Sequence, residues 1–224
     1  MTTLVTGGSK CGKSHFAEKI LDCCNEKKIY IATMQPFGKD AFEAIERHRV
    51  MREGKNFITI EKYTDIHELS LDTDCAVLLE CMGNLCANEM FCSDVVKCPT
   101  EKILEGIKKL ANSVNELVIV TNQVGSDGID YDEGTAEYIR TLGDINRYIA
   151  EFADNVVECV YGIPILLKGE LPCQIALLGV PDVFTDTYAE NRMERGEPTL
   201  CTWFLSSCRS GDRRTAHTLA DSMQ

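Results

Sequence analysis

The sequence has 224 residues, of which 44% are hydrophobic and 26% are charged, a composition that allows a globular domain with a buried core. Its formal net charge of −12 argues against a general nucleic-acid or membrane-surface binder. No apolar run approaches the ~20 residues of a membrane-spanning helix, and the N-terminal residues show no apolar h-region, because the first strand leads directly into a glycine-rich stretch. The 12 cysteines include no Cys-x-x-Cys pair, which disfavours a zinc site and indicates reduced thiols. We therefore expect a cytoplasmic protein.

The first strong feature in chain order is a glycine-rich stretch at residues 7–14, which fits the P-loop pattern of a glycine, four residues and Gly-Lys-Ser. Residues 4–6 are typical of a buried strand, and residues 15–24 have helical apolar spacing. Lys13 would reach the terminal phosphates of a nucleotide, and Ser14 would hold Mg²⁺. The backbone N–H groups that would bind phosphate belong to Gly7, Gly8, Ser9, Lys10, Cys11 and Gly12. A chance match is the alternative, and the strand–turn–helix context disfavours it.

The rest of the chain alternates between apolar strands and amphipathic helices. Strands are predicted at 28–33, 57–61, 75–80 and 117–122, and helices at 40–52, 65–69, 83–91, 100–116 and 135–153. Asp40 is expected to cap the helix that ends near Arg52. A strand, a turn near Gly162 and Pro164, and a second strand are predicted over 155–167. This alternation predicts an α/β fold with a mostly parallel sheet covered by helices.

The composition changes after Gly169. Residues 174–180 could form one more strand, but the sequence becomes polar from Pro181 onward. We therefore predict a P-loop domain over 1–169 and a partly ordered C-terminal extension over 170–224. Trp203 and Phe204 could anchor that extension on the domain or on a partner.

A histidine on the predicted 40–52 helix lies among basic residues. Arg47, Arg49 and Arg52 surround His48 in an otherwise acidic protein. One interpretation is a half-buried histidine on an amphipathic helix with a solvated basic side. The other is a phosphate-facing patch with a reactive imidazole. The residues alone leave both open.

Two predicted strands end in a carboxylate. Glu61 ends the 57–61 strand, and Glu80 ends the continuous apolar strand 75–80. Ligands bind at the carboxyl ends of strands in parallel α/β sheets, so Glu80 is a candidate for the Mg²⁺ shell. The alternative is an ordinary charge at a strand end.

These residues together resemble the bifunctional adenosylcobinamide kinase / adenosylcobinamide-phosphate guanylyltransferase family of cobalamin biosynthesis. The resemblance covers residues 1 to about 168, and the matching segments follow in order: Val5–Ser14, Tyr30–Thr33, Ile45–Arg49, Thr59–Glu61, Leu78–Cys81, Val120–Gly125, and Gly143 with Asn146. It implies a RecA-like P-loop fold assembled as a homotrimer. It also implies two reactions: phosphorylation of the adenosylcobinamide hydroxyl, and GMP transfer from GTP to the resulting phosphate.

The resemblance also implies roles for individual residues. His48 matches the histidine that carries the guanylyl group, which makes His48 and Lys13 the catalytic candidates. Glu61 and Glu80 match positions that contact the guanine nucleotide or its metal, and Thr33 and Arg52 fall in nucleotide-contacting segments. The implied substrates are the corrinoid and GTP, ATP or both, with Mg²⁺.

The sequence departs from the family at several places. Gln123 stands where the family usually has Glu, and the 170–224 extension has no counterpart in the family. Two alternative functions therefore remain: another small-molecule P-loop kinase, and a non-catalytic nucleotide-binding regulatory protein.

Overall fold

A computed structural model of the chain describes residues 1–91, 99–125 and 128–170. The strands in this part are β1 (Thr2–Gly7), β2 (Lys27–Ala32), β3 (Phe57–Glu61), β4 (Cys75–Glu80), β5 (Glu116–Val120), β6 (Asn155–Val160) and β7 (Ile163–Lys168). The helices are α1 (Lys13–Asp22), α2 (Gly38–Met51), α3 (Met82–Phe91), α4 (Pro99–Ser113) and α5 (Glu133–Phe152), with a 3₁₀ helix at Ile66–Glu68. None of these helices is long and apolar enough to cross a bilayer.

The strands form a seven-stranded sheet in the order β3-β2-β4-β5-β1-β6-β7. All neighbouring strands are parallel except β7, which is antiparallel to β6. The P-loop follows β1, and β5 separates β1 from β4, the strand that ends in Glu80. The structure confirms the predicted α/β P-loop fold, with a mostly parallel, helix-covered sheet and a hairpin after β6.

Two apolar clusters cover the two faces of the sheet. Leu79 and Ile119 belong to the cluster beneath α3, α4 and α5, whereas Leu78 and Val118 belong to the cluster beneath α1. Every residue of β4 is buried, because successive side chains point to opposite faces and both faces are covered. This explains the continuous apolar run that predicted the strand.

α2 differs from the other helices, because none of its side chains whose burial is described is fully buried. Its less exposed face consists of residues at helical spacing, Ala41, Ala44, Ile45, His48 and Met51. On the outer face, Phe42 and Val50 are 59% and 56% exposed. α2 is therefore a peripheral helix with little apolar attachment.

Some predicted boundaries were wrong. α2 begins at Gly38 and not at Asp40, because Gly38 takes a left-handed φ of 76° and turns the chain into the helix after an extended Phe37. Pro164 lies inside β7, which is an edge strand where a missing N–H is tolerated, and the turn is Tyr161–Gly162. The strand at 174–180, the extension after Glu170 and the Trp203–Phe204 pair lie outside the described residues.

Candidate active site

The phosphate cradle follows β1 directly. Gly7 has a φ of 146°, and a Cβ there would lie 2.5 Å from the Cys159 carbonyl oxygen and 2.8 Å from Cys11 Sγ, so only glycine fits. Gly12, with a φ of 91°, is the N-cap of α1. The chain therefore wraps closely and presents the N-terminus of α1, where the backbone N–H groups and the helix dipole favour an anion.

Lys13 is buried in the first turn of α1 and is only 5% exposed. Its ammonium group donates to the Gly8 carbonyl oxygen and lies 3.8 Å from Cys11 Sγ. The side chain is thus folded over the loop, which places its positive charge inside the cradle.

Glu80 lies where β4 ends, beside the first turn of α1. Its Oε1 atom accepts a hydrogen bond from Ser14 Oγ, and its Oε2 atom is buried without a partner. Burial raises the pKa of Glu80 to about 7, although the Ser14 hydrogen bond, Arg52 and Lys13 oppose the shift. A hydroxyl and a carboxylate are the oxygen ligands that Mg²⁺ prefers, so this pair fits such an ion.

The structure brings His48 of α2 to the same place. The His48 Nδ1 atom lies 3.8 Å from Glu80 Oε1, which is too long for a hydrogen bond, and Nδ1 is buried without a partner. Burial lowers the pKa of His48, and the positive charge of Arg52 lowers it further. The imidazole is therefore neutral at pH 7, the form that can act as a nucleophile.

The three arginines around His48 are placed differently. Arg52 stacks on the buried Tyr30 ring, with its guanidinium carbon 3.4 Å from the ring centroid, and its Nη1 atom is buried without a partner. Arg49 is exposed and pairs with Glu46 at 2.7 Å, and Arg47 is exposed as well. Of the arginines proposed to face a phosphate, Arg52 is the one that the protein holds inside the site.

Buried atoms without partners concentrate here. Within the described residues, six buried side-chain polar atoms lack a hydrogen bond, and three of them belong to the residues that meet beside the cradle: His48 Nδ1, Arg52 Nη1 and Glu80 Oε2. Buried polar groups are ordinarily hydrogen-bonded, so such a concentration indicates a position where a polar ligand binds.

Thr33 and Glu61 lie at the same edge of the sheet. The Thr33 hydroxyl accepts from the Cys81 backbone N–H at 2.7 Å and donates to the Cys81 carbonyl oxygen at 2.8 Å. Thr33 is fully buried, and its side chain holds the end of β4 in place. Glu61 is exposed and accepts a hydrogen bond from the Tyr63 hydroxyl at 2.7 Å. The nucleotide contacts predicted for both residues stay predictions.

Sequence reasoning missed Glu18, Tyr30 and the link between Gln123 and Glu158. The Gln123 side-chain amide donates to Glu158 Oε1 at 2.8 Å, while its backbone N–H donates to the Gly7 carbonyl oxygen at 3.1 Å. Gln123 thus ties β5 and β6 to the P-loop. The sequence did contain one signal for the missed residues. Glu18 is a charged residue among the apolar positions of α1, one turn after Ser14.

A parallel α/β sheet with a P-loop, and a buried carboxylate beside the first turn of the following helix, defines a P-loop nucleotide-binding protein. The family described as cobinamide kinase / cobinamide phosphate guanyltransferase matches residues 3–167. The chain belongs to this family of bifunctional kinases and guanylyltransferases of cobalamin biosynthesis.

Three named relatives agree with this assignment. The bifunctional adenosylcobalamin biosynthesis protein CobU of Escherichia coli K12 is 30% identical over 184 residues, covering 75% of this chain and all of the relative. CobP of Pseudomonas aeruginosa is 26% identical over 175 residues, covering 76% of this chain and 99% of the relative. CobU of Salmonella typhimurium is 28% identical over 184 residues, with coverage of 75% and 100%.

Proposed function

We propose that this chain phosphorylates adenosylcobinamide and then transfers GMP from GTP to adenosylcobinamide phosphate through a guanylyl group carried on His48. The observation that carries the proposal is the 3.8 Å separation between His48 Nδ1 and Glu80 Oε1, because Glu80 is itself bonded to Ser14 of the P-loop. The adjacency of the His48 imidazole to the P-loop within one chain thus supports the proposal.

In the kinase step, the P-loop backbone and Lys13 bind the triphosphate of ATP or GTP. The corrinoid hydroxyl oxygen attacks the γ-phosphorus and releases its proton to water, a P–O bond forms, and the P–O bond to the nucleoside diphosphate breaks. Ser14 and Glu80 would hold Mg²⁺, which supplies charge neutralisation at the phosphate oxygens. Lys13 adds positive charge that is already in place before the reaction.

In the transfer step, the neutral His48 imidazole attacks the α-phosphorus of GTP. A P–N bond forms while the P–O bond to pyrophosphate breaks, and pyrophosphate leaves. The phosphate of adenosylcobinamide phosphate then attacks the same phosphorus and breaks the P–N bond. Arg52, held on Tyr30 beside His48, is placed to offset negative charge on the phosphates.

The proposed assembly is the homotrimer that the resemblance implies. The exposed apolar residues Phe42 and Val50 on α2 support an assembly, because a partner subunit would cover them. Sedimentation equilibrium measures the mass, and a monomer at micromolar concentration contradicts this part of the proposal.

The test of the transfer mechanism is covalent labelling. Protein incubated with Mg²⁺ and GTP labelled at the α-phosphorus should acquire an acid-labile, base-stable label, because phosphoramidates have that stability profile. His48→Ala should abolish the label, and His67→Ala, a histidine on the 3₁₀ helix, should leave it intact.

Turnover of adenosylcobinamide separates the remaining alternatives. Phosphorylation without any labelling of the wild type would leave a P-loop kinase that lacks the histidine intermediate. Nucleotide binding with neither reaction would leave a regulatory binding protein.

A further inference from the structure

Glu18 is a buried carboxylate that the proposed reactions do not use. It lies on α1, four residues after Ser14, and is 0% exposed. Its Oε2 atom accepts from the Lys55 ammonium group at 2.5 Å, and its Oε1 atom is buried without a partner. Burying a charged group costs free energy unless the group is paired. The residues around Glu18 therefore indicate its role.

Lys55 belongs to a tight continuation of α2. The Arg52 N–H donates to the His48 and Arg49 carbonyl oxygens, and the Lys55 N–H donates to the Arg52 carbonyl oxygen at 3.1 Å. These bonds join the segment after α2 to the last turn of the helix. The ion pair between Glu18 and Lys55 therefore connects the P-loop helix to the end of α2 that carries His48.

The polar contacts at the C-terminal end of α2 belong to a helix that packs only weakly, through apolar side chains, against the rest of the domain. None of the α2 side chains whose burial is described is fully buried, whereas the adjoining segment stacks Arg52 on Tyr30 and pairs Lys55 with Glu18. Apolar burial is the usual source of tertiary attachment for a helix. A helix without it depends on its polar contacts for position.

The charges of Glu18, Lys55 and Arg52 are consistent with a dependence of α2 on polar contacts for its position. Burial raises the pKa of Glu18, and the positive charges of Lys55 and Arg52 oppose the shift. The negative charge of Glu18 in turn opposes the lowering of the His48 pKa, so the carboxylate lies close enough to His48 to act on it electrostatically. Glu18 lies one helical turn, about 6 Å, along α1 beyond Ser14, and its Oε2 atom is engaged by Lys55, so the proposed reactions assign it no contact with nucleotide.

We propose that Glu18 is a positioning residue, which holds the C-terminal end of α2 against α1 through Lys55 and thereby keeps His48 beside the phosphate cradle. The catalytic part of this inference rests on the proposed function, but the structural part does not. Glu18 is expected to matter for guanylyl transfer, which needs His48, and to matter little for the kinase step, which needs only the P-loop.

The first experiment measures the position of α2 without any chemistry. Backbone hydrogen exchange of residues 38–55 is compared between wild type and Glu18→Gln in the absence of nucleotide. Loss of the ion pair should speed exchange in α2 by about tenfold or more, with the strands β1 and β4 unchanged. Glu89→Gln is the matched control, because Glu89 is also a buried helical carboxylate, 2% exposed, paired with Lys102 at 2.7 Å and remote from α2 in the sequence.

The second experiment separates the two reactions. Glu18→Gln should slow formation of the guanylyl label by about 10- to 100-fold through the rate constant, with the KM for nucleotide and the kinase rate within about twofold of wild type. Glu18→Asp keeps the charge and should recover part of the rate. The double variant Glu18→Gln/Lys55→Met removes both charges, so it shows the same split without leaving Lys55 unpaired.

The outcomes are distinct. Unchanged α2 exchange in Glu18→Gln overturns the inference whatever the enzyme does. Equal losses in the kinase and labelling rates also overturn it, because they indicate a general structural role. A wild type that never labels, together with faster α2 exchange in the variant, removes the histidine mechanism and leaves the positioning of α2 standing.

Discussion

The two helices that meet at the site are attached to the protein in opposite ways. α1 carries the P-loop lysine and buries Phe16, Ile20 and Leu21 against the sheet. α2 carries His48 and leaves Phe42 and Val50 exposed. The part that binds phosphate is built into the core, whereas the part that would accept the nucleotidyl group is held at the surface by polar contacts.

This difference has a functional reason. A phosphate cradle works best when its N–H groups are fixed before the ligand arrives, because no reorganisation is then needed. A group that must receive a nucleotide and then deliver it to a large second substrate benefits from an element that can adjust. Segments with little buried apolar contact are those that move at low free-energy cost.

The largest expected effect comes from truncating matched phenylalanines in the two helices. Phe16→Ala should lower the free energy of unfolding by about 4 kcal/mol, because Phe16 is 3% exposed and fills the core under α1. In the dissociated subunit, Phe42→Ala should change the free energy of unfolding by less than about 0.5 kcal/mol, because Phe42 is exposed there. Denaturant titration measures both, and a large loss for Phe42→Ala in the monomer would mean that α2 is packed more firmly than described.

The next effect concerns the cradle. Lys13→Ala should weaken triphosphate binding and slow both reactions by about 10²- to 10³-fold, because a buried positive charge is removed from the site. Isothermal titration gives the affinity, and the unfolding midpoint shows whether the fold is intact. Unchanged affinity in a folded variant would contradict the P-loop assignment.

A paired arginine comparison tests the α2 side. Arg52→Met should slow guanylyl labelling by about 10- to 100-fold, since the guanidinium beside His48 is lost. Arg49→Met should stay within about twofold, because Arg49 is exposed and engaged by Glu46. If the two variants behave alike, the exposed arginine takes part in the reaction after all.

The last effect is a gain in stability. The pKa of Glu80 rises from 4.5 to about 7 on folding, so folded protein keeps a proton that unfolded protein loses between those values. Wild-type stability without Mg²⁺ or nucleotide should therefore fall as pH rises through that window. Glu80→Gln, which cannot ionise, should be more stable at pH 8 by about 3 kcal/mol, with the advantage disappearing near pH 4. If wild type and Glu80→Gln had equal stability at both pH values, the pKa of Glu80 would not be raised on folding.

Much of the fold could be predicted from local patterns. The P-loop, the buried strands such as β4 and the half-buried face of α2 depend on residues close in sequence, and all three were found. The predicted start of α2 was wrong. Asp40 is a good capping residue, but Gly38, with its left-handed φ, turns the chain into the helix earlier. Local propensity did not decide the boundary there.

The support of the site could not be predicted, because it depends on distant pairs. Glu18 meets Lys55 across 37 positions, and Gln123 meets Glu158 across 35. No periodicity or spacing relates such residues, and one charged position on a helix normally indicates a solvated face. His48 illustrates this limit. Helical spacing predicts that His48 lies on the half-buried face of α2, but only the three-dimensional fold shows that it is close to Glu80.

The register of β2 has one more consequence. Ala32 pairs with Glu61 of β3 on one side and with Glu80 of β4 on the other. The two carboxylate-bearing backbones are therefore two strand spacings apart, about 9.5 Å, and the hydrogen-bond ladder sets that span. The sheet therefore fixes the distance between the backbones of the two acidic residues. A molecule that contacts both carboxylates must span about that distance. Side-chain changes elsewhere can alter the affinity for such a molecule without changing the distance.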